Sequence, residues 1–327
     1  MAVSQVALDR ATLDWLADEV LPGRPLAGAR TLPGGYTNET VVLTTRPRGE
    51  RYVLRRYLSA RTQVPRNPCT VEAALMRSLA GTVPVPEVVG ADGAGTRTGR
   101  PQLVYRFVEG VVVTEAMGAS AGHEAERIGH AVGLTLARIA QVTPGRLGQS
   151  PGLTRLGGGA PAAELPRFVG RCLAGCGAGH PLSPGDRESL RWLAERSACR
   201  LDAVGQVQRL VHSDFNPKNV LVARRHGRWQ VRAVIDWEMA CSGSPLADVG
   251  NMLRFTHEYP DGYADGFVAG FLDGGGRLPA DWQPVSQALD LFPLADILTR
   301  PPDGAMFARA LGVLRRRMAQ IPGDVRS

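Results

Sequence analysis

Residues 212–219 form a short polar segment between two apolar runs, at 210–211 and 220–222. The segment reads His-Ser-Asp-Phe-Asn-Pro-Lys-Asn, so that Asp214 and Asn219 stand five positions apart. A carboxylate in such a loop can accept the proton of an attacking hydroxyl, while an amide oxygen nearby holds a hard metal ion. The pairing is typical of phosphoryl transfer from a magnesium nucleotide.

A second acidic segment, Val-Ile-Asp-Trp-Glu at 234–238, follows another apolar run. Because magnesium prefers oxygen ligands, Asn219 and Asp236 are the predicted metal ligands, and Asp214 is left to act as base. His212 is predicted to brace the loop through hydrogen bonds rather than to transfer protons. The alternative for the whole segment is a polar turn between buried strands, but the combined pattern favours catalysis.

Short strands and turns dominate the first hundred or so residues, and helices dominate the rest, which predicts an α+β fold. Ser183 is a predicted helix N-cap. Helices are predicted over 8–20, 71–80, 119–142, 166–174 and 184–199, and strands over 41–45, 51–57 and 102–108.

Composition excludes several classes of protein. With 44% apolar residues the chain of 327 residues can bury a sizeable core, and no stretch is long and apolar enough to span a membrane. The first twenty residues include three aspartates and a glutamate, which argues against a signal peptide and favours a cytoplasmic protein. The net charge of +7 comes from scattered arginines with few interleaved aromatic residues, so nucleic-acid binding is disfavoured.

Three motifs together resemble the aminoglycoside phosphotransferase and choline kinase family, over roughly residues 25–300. They are His212-x-Asp214-x-x-x-x-Asn219, Ile235-Asp236-Trp237-Glu238 and Pro245-Leu-Ala-Asp-Val249. The resemblance implies a catalytic aspartate and a metal-binding asparagine in the first motif and a metal-binding aspartate in the second. It also implies a buried aspartate, Asp248, that braces the catalytic loop; a helix N-cap role for Asp248 is compatible with this.

The resemblance further implies a bilobal, protein-kinase-like α+β fold that uses ATP or GTP with Mg²⁺. A small β-rich N-lobe is expected over residues 1–106, a hinge over 107–112, and a larger, mostly helical C-lobe over 113–327. The N-lobe would bind the nucleotide, and the C-lobe would carry catalysis and the acceptor.

Residues 32–40, Leu-Pro-Gly-Gly-Tyr-Thr-Asn-Glu-Thr, resemble the nucleotide-positioning loop of the family. Gly34 and Gly35 are expected to let the backbone approach the phosphates, since glycine lacks a side chain. Thr37 and Asn38 are expected to donate hydrogen bonds to them. Without the resemblance, this segment would be read as an ordinary hairpin turn.

Arg55 stands where the family usually has a lysine, and Glu72 on the following helix is its predicted partner. Arginine keeps the positive charge and can form two parallel hydrogen bonds to a phosphate or a carboxylate. The exchange is not conservative, so both ATP and GTP are retained as candidate nucleotides. Arg56 should face the other side of the strand. Phe107 and Glu109 fall at the hinge, where backbone groups are expected to bind the nucleotide base.

The acceptor is the least determined part of the prediction. Between residues 243 and 300, eight acidic residues stand against three arginines. Such a surface favours a cationic acceptor, for example an aminoglycoside, although helix caps and solvated helix faces explain the acids equally well. The candidate acceptor contacts are Trp237, Glu238, Glu258 and Asp261.

Three hypotheses follow. The first is a kinase that transfers the γ-phosphoryl group to a hydroxyl of an aminoglycoside or similar basic antibiotic and thereby confers resistance. The second is a metabolic kinase of the same fold, acting on choline, homoserine, a methylthio-sugar or fructosamine. The third is a catalytically silent kinase-like binding protein, a reading that the intact acidic residues oppose.

Overall fold

The computed structural model describes residues 6–32, 38–58, 67–120, 122–147, 153–177 and 180–320, and the chain divides into two compact units. The first unit consists of Met1–Ala116, Gly145–Gly152 and Lys218–Ala240, and the second of Met117–Pro144, Leu153–Pro217 and Cys241–Ser327. The polar segment 212–219 therefore contributes Asp214 to the second unit and Asn219 to the first. The division into a lobe, a hinge and a lobe of continuous sequence stays a prediction.

An antiparallel sheet of five strands dominates the described part of the first unit, in the order β1-β2-β3-β5-β4. Its strands are β1 (Leu26–Thr31), β2 (Asn38–Thr45), β3 (Arg51–Tyr57), β4 (Val88–Asp92) and β5 (Gln102–Arg106). Two helical segments belong to the same unit: α1 (Arg10–Trp15), continued as a π-helix over Leu16–Val20, and α2 (Pro68–Leu79). Apolar side chains of the first of these segments build a core with the sheet around Trp15, Tyr52 and Leu54.

A second sheet of the first unit carries the acidic segment. β8 (Val220–Arg225) and β9 (Arg228–Val234) form a hairpin, which β6 (Val111–Val112) extends by pairing with β8. His226 and Gly227 both have positive φ angles, 51° and 75°, as a tight two-residue hairpin turn requires. Since Val220 pairs with Val234, the residues just before β8 and just after β9 emerge at the same end of the hairpin.

The second unit is mostly helical. Its helices are α4 (His123–Ala140), α5 (Pro161–Gly175), α6 (Pro184–Ala198), α7 (Leu246–Leu253), α8 (Tyr263–Asp273), α9 (Trp282–Leu289), α10 (Leu291–Ile297) and α11 (Ala305–Ala319). α3 (Val113–Gly118) lies where the division between the units falls, and short 3₁₀ turns cover 144–147, 156–159, 199–204, 237–239 and 256–258. β7 (Arg209–Val211), which ends just before the polar segment 212–219, pairs with β10 (Cys241–Gly243) in a two-stranded sheet.

Glycines allow α4 and α8 to pack closely. A Cβ atom on Gly133 of α4 would collide with the backbone of Phe267 and Phe271 on α8, and one on Gly270 of α8 would collide with the backbone of His130. Helix backbones approach this closely only where side chains are absent. This contact fixes α8 against α4, and it thereby constrains the residues that connect α7 to α8.

The α+β class is confirmed, with a β-rich first part and a larger helical second part. The predicted helices and strands are present with ends shifted by a few residues, and Ser183 caps α6 in a reciprocal capping box. β1 and β4 were not predicted, because their alanines, glycines and aspartate are poor strand signals. Among the described residues, no helix has both the length and the apolarity needed to cross a membrane.

Candidate active site

In the second unit, a buried carboxylate holds the first residues of the polar segment 212–219. Asp248, in the first turn of α7, is fully buried and accepts the backbone N–H groups of His212 at 2.8 Å and Ser213 at 2.9 Å. Burial raises the pKa of Asp248 to about 7; the two N–H donors oppose the rise and the charge of Asp214 adds to it. The expected bracing contact is therefore present, and the N-cap position of α7 is Pro245 rather than Asp248.

His212 and Asn216 fix the loop around Asp214. The buried imidazole of His212 accepts the backbone N–H of Asp214 at Nδ1, 3.2 Å away, and its ring stands edge-on to Phe215. Asn216 donates its side-chain amide to the Asp214 carboxylate at 2.9 Å, and Asn251 of α7 donates to the carbonyl of Ser213 at 3.2 Å. The geometry fits the bracing role predicted for His212, and the residue's part in function stays a prediction.

In the first unit, the hairpin brings the two predicted metal ligands together. Asn219 precedes β8, Asp236 follows β9, and the N–H of Ile235 donates to the carbonyl of Asn219 at 2.9 Å. Asp236 has a left-handed backbone, with φ 71°, which aspartate tolerates better than most residues. Left-handed non-glycine residues concentrate at functional sites, and Ser213 beside Asp214 is another, with φ 68°.

Arg55 of β3 lies among three carboxylates. Its Nη2 atom is 2.5 Å from Asp236 and 3.3 Å from Glu238, and its Nε atom is 3.5 Å from Glu72. Burial acts to lower the pKa of Arg55, but the surrounding carboxylates, Glu72 first, more than offset this and hold it well above its ordinary value. The predicted Arg55–Glu72 pair is present. Arg56 faces away and contacts Glu39 at 3.0 Å.

Glu72 of α2 anchors the acidic segment by its backbone. Its carboxylate accepts the hydroxyl of Tyr57 and, at 3.2 Å, the backbone N–H of Trp237. Burial raises the pKa of Glu72 to about 7; Arg55 opposes the rise, and Asp236 adds to it. Glu72 therefore fixes the residue immediately after Asp236 as well as pairing with Arg55.

Carboxylate oxygens of Glu72, Asp236 and Glu238 lie within 4.8 Å of one another. Oxygen donors of this kind suit a hard cation such as Mg²⁺, so Asp236 fits the metal that the family implies, and the guanidinium of Arg55 contacts the same three carboxylates. Glu238 also accepts the side-chain amide of Asn38, at the start of β2, at 2.8 Å. Asn38 is thereby joined to the acidic segment, while Gly34, Gly35 and Thr37 lie outside the described residues.

The groups expected to contact the acceptor and the nucleotide base include some that are buried or already bonded within the protein. The side chain of Trp237 is fully buried and donates its indole N–H to the carbonyl of Val234 at 2.9 Å, which is a packing position and does not fit the expected acceptor contact. At the expected hinge, the N–H of Phe107 donates to the carbonyl of Arg51, and the carboxylate of Glu109 pairs with the guanidinium of Arg51. The other backbone groups of 107–109 keep their predicted role.

Several of the acids counted between residues 243 and 300 are engaged by other groups of the chain. Five of the eight acids are engaged inside the second unit: Asp248 on the loop backbone, Glu258 by Arg309, Asp273 by His130, Asp290 by Arg254 and Arg317, and Asp296 by Arg300. Arg309 and Arg317 belong to α11, beyond the segment that was counted. They lower the excess of the counted segment from five negative charges to three, which weakens the charge argument for a cationic acceptor, while Glu258 and Asp261 stay predicted contacts.

Sequence reasoning missed Tyr57, Asn216 and Asn251. Tyr57 had a signal: it stands two positions after Arg55 on a strand and therefore shares its face. Asn216 and Asn251 had none, because a lone asparagine in a loop or helix is usually solvated.

The fold and these residues together define a kinase-like phosphotransferase. The sequence pattern of the phosphotransferase enzyme family matches residues 28–286, and the chain belongs to this family. This match covers the predicted catalytic, metal-binding and bracing residues alike.

Solved structures share the fold. The GDP complex of aminoglycoside 2'-phosphotransferase-IIIa is 17% identical with a TM-score of 0.67, over 94% of this chain and 97% of that one. A ternary complex of a thermostable APH(4)-Ia variant with AMP-PNP and hygromycin B is 18% identical, with a TM-score of 0.66, over 95% and 100%. Macrolide 2'-phosphotransferase MphH from Brachybacterium faecium is 19% identical, with a TM-score of 0.59, over 95% and 97%.

One curated relative is named for a different class of enzyme. Acyl-CoA dehydrogenase family member 11 of Gallus gallus is 28% identical over 262 residues, which are 77% of this chain. The chain spans only 31% of that relative's length. The similarity therefore concerns one part of a longer protein.

Proposed function

We propose that this phosphotransferase moves the γ-phosphoryl group of ATP or GTP, with Mg²⁺, to a hydroxyl of a small molecule. The observation that carries the proposal is the placement of Asn219 and Asp236 at one end of the β8–β9 hairpin, with Asp214 five positions before Asn219 on a loop held by Asp248. The GDP and AMP-PNP complexes of similar structures support a nucleotide donor.

In the proposed mechanism Asp214 accepts a hydrogen bond from the acceptor hydroxyl, orients it for in-line attack and takes its proton. Asn219 and Asp236 would hold Mg²⁺, which supplies neutralisation of the charge that develops on the phosphoryl oxygens. Arg55 would release part of its contact with the carboxylates to fork onto the nucleotide phosphates. Glu72 would keep the backbone beside Asp236 fixed during that exchange.

For the acceptor, an aminoglycoside or a macrolide is supported by the names of the similar structures. Phosphorylation of such a drug would confer resistance. The metabolic acceptors considered from the sequence, such as choline or homoserine, share the same chemistry at Asp214.

A second candidate follows from the curated relative, whose name places it among acyl-CoA dehydrogenases. The acceptor would then be a hydroxylated acyl-CoA or a related metabolite. The net charge of +7 is compatible with such an anionic compound.

A coupled assay of ADP or GDP release tests the proposal. It is run on a panel of aminoglycosides, macrolides, small metabolic alcohols and hydroxyacyl-CoA thioesters. We expect turnover with one class of acceptor that depends on Mg²⁺ and is lost in Asp214→Ala, while that variant still binds nucleotide. Binding without turnover on every acceptor would instead favour a silent kinase-like protein.

A further inference from the structure

A basic cluster lies on the second unit where the chain after α7 meets α11. It consists of His257, Arg309 and Arg316. Arg309 donates to both carboxylate oxygens of Glu258, at 3.2 and 2.6 Å, and its guanidinium carbon lies 3.9 Å above the ring centre of Phe255. Arg316 lies seven residues further along α11, two turns away and therefore on the same face.

The cluster carries uncompensated positive charge. Glu258 pairs with Arg309 and lies 3.4 Å from Nε2 of His257, whereas no carboxylate of a described residue forms an ion pair with Arg316. The Nη2 atom of Arg316 lies 2.8 Å from Nε2 and 3.4 Å from Nδ1 of His257, which is exposed, as is Arg316 itself. An arginine ordered against an imidazole leaves most of its N–H donors available to an incoming anion.

A neighbouring group of charges is positive as well, since the guanidinium carbons of Arg309 and Arg254 lie 3.9 and 5.9 Å from the ring centre of Phe255. Arg254 and Arg317 share the single buried carboxylate of Asp290, at 2.6 and 2.8 Å. These two ion pairs leave one positive charge over, in addition to that of Arg316. The four arginines therefore outnumber Glu258 and Asp290 by two charges, which favours anions at this surface.

The cluster lies close to the catalytic loop within the same unit. Asn251 of α7 contacts the carbonyl of Ser213, and His257 follows six residues later. Burial acts to lower the pKa of Arg254, but the charge of Asp290 more than offsets this, and the pKa is raised overall. The charge of Asp214 contributes to the rise, so Asp214 is within electrostatic range of this region.

We propose that Arg316 and His257, with Arg309, bind an anionic group, phosphate or carboxylate, that the acceptor carries at some distance from its reacting hydroxyl. The link to catalysis rests on the proposed function. Arginine forks match the geometry of both anions, and the contacts to Glu258, Phe255 and His257 hold the two guanidinium groups in place before binding. The inference selects anionic hydroxyl compounds, the class of the second candidate, over cationic drugs.

Kinetics with matched acceptors test the link to catalysis. An anionic and a neutral form of the same alcohol are compared, such as a hydroxyacyl-CoA with its dephosphorylated pantetheine thioester. Arg316→Gln should raise KM for the anionic form about tenfold and leave the neutral form unchanged. Arg315→Gln is the matched control, because Arg315 is the exposed neighbour that pairs with Asp186 instead. Equal effects of the two variants, or a wild type indifferent to the anionic group, would overturn the proposal.

Site-resolved modification tests binding without any turnover. Phenylglyoxal is reacted with the full chain, with and without inorganic pyrophosphate, and each modified arginine is quantified by peptide mass spectrometry. Pyrophosphate should slow modification of Arg309 and Arg316 several-fold and leave Arg315 unchanged, and Arg316→Gln should raise the concentration that half-protects Arg309 about tenfold. Equal protection of Arg315, or none at Arg316, would overturn the anion site even if Asp214-dependent turnover is found. Protection in a chain that shows no turnover would instead leave the site standing and remove the proposed function.

Discussion

Arg55 shows how one substitution alters a charged site. The family usually has a lysine there, whereas the guanidinium of this chain contacts Asp236, Glu238 and Glu72 at once. A lysine ammonium is a point charge on a flexible stem and lacks the fork that spans several carboxylates. The arginine therefore balances the acidic cluster.

We expect Arg55→Met to lower the free energy of unfolding by about 3–5 kcal/mol, because it leaves buried Glu72 beside two uncompensated carboxylates. Millimolar Mg²⁺ should restore part of the lost thermal stability, since the cluster then accepts a cation more readily. Arg56→Met is the control: it removes a buried arginine from the same strand, but one that contacts Glu39 and Asp9. A similar Mg²⁺ response in both variants, measured by thermal melts, would argue against a cation site at this cluster.

Asp248 gives a prediction about pH. Its pKa is raised by burial to about 7 from an ordinary 3.8, so the folded state keeps a proton that the unfolded state loses between about pH 4 and 7. The contribution of this group to the free energy of unfolding therefore falls as pH rises through that window, by up to about 1.4 kcal/mol per pH unit, and is level above it. Urea titrations from pH 5 to 8 should show this fall in the wild type and a flatter profile in Asp248→Asn. Parallel profiles would mean that Asp248 is ionised throughout.

Helix packing in the second unit depends on missing side chains. Gly133→Ala should destabilise the protein by 2 kcal/mol or more, roughly the cost of overpacking, because the new Cβ meets the backbone of Phe267 and Phe271. Gly170→Ala, in α5, has open space around it and should instead stabilise by about 0.5–1 kcal/mol through helix propensity. Denaturant unfolding of the two variants measures both effects. Opposite signs are expected, and stabilisation by both would contradict the close packing.

Elements with strong local signals could be predicted from the sequence. The alternation of β3 placed Arg55 and Arg56 on opposite faces, and Ser183 with Asp186 marked the start of α6. β1 could not be predicted, since its alanines and glycine become a strand only by pairing with β2. Tertiary pairing overrides weak propensity in such segments.

For the molecule as a whole, contacts between residues distant in sequence set the limit of prediction. Asp214, Asn219, Asp236 and Asp248 belong to short local motifs, so the sequence alone singles them out, and their roles stay predictions. Asn38 and Glu238 are 200 residues apart, and Glu258 and Arg309 are 51 apart, so no local pattern could reveal either contact. A charge count over one segment is incomplete for the same reason, because two of its counter-charges come from α11.

The most direct measurement is the rate of phosphoryl transfer in Asp214→Asn beside the wild type, with the acceptor that gives turnover and with nucleotide affinity measured in parallel. The substitution keeps the size of the side chain and removes the base, so we expect kcat to fall by about 10²–10⁴. Nucleotide affinity and the melting temperature should remain close to those of the wild type. A variant that retains the wild-type rate would contradict the assignment of Asp214 as the catalytic base.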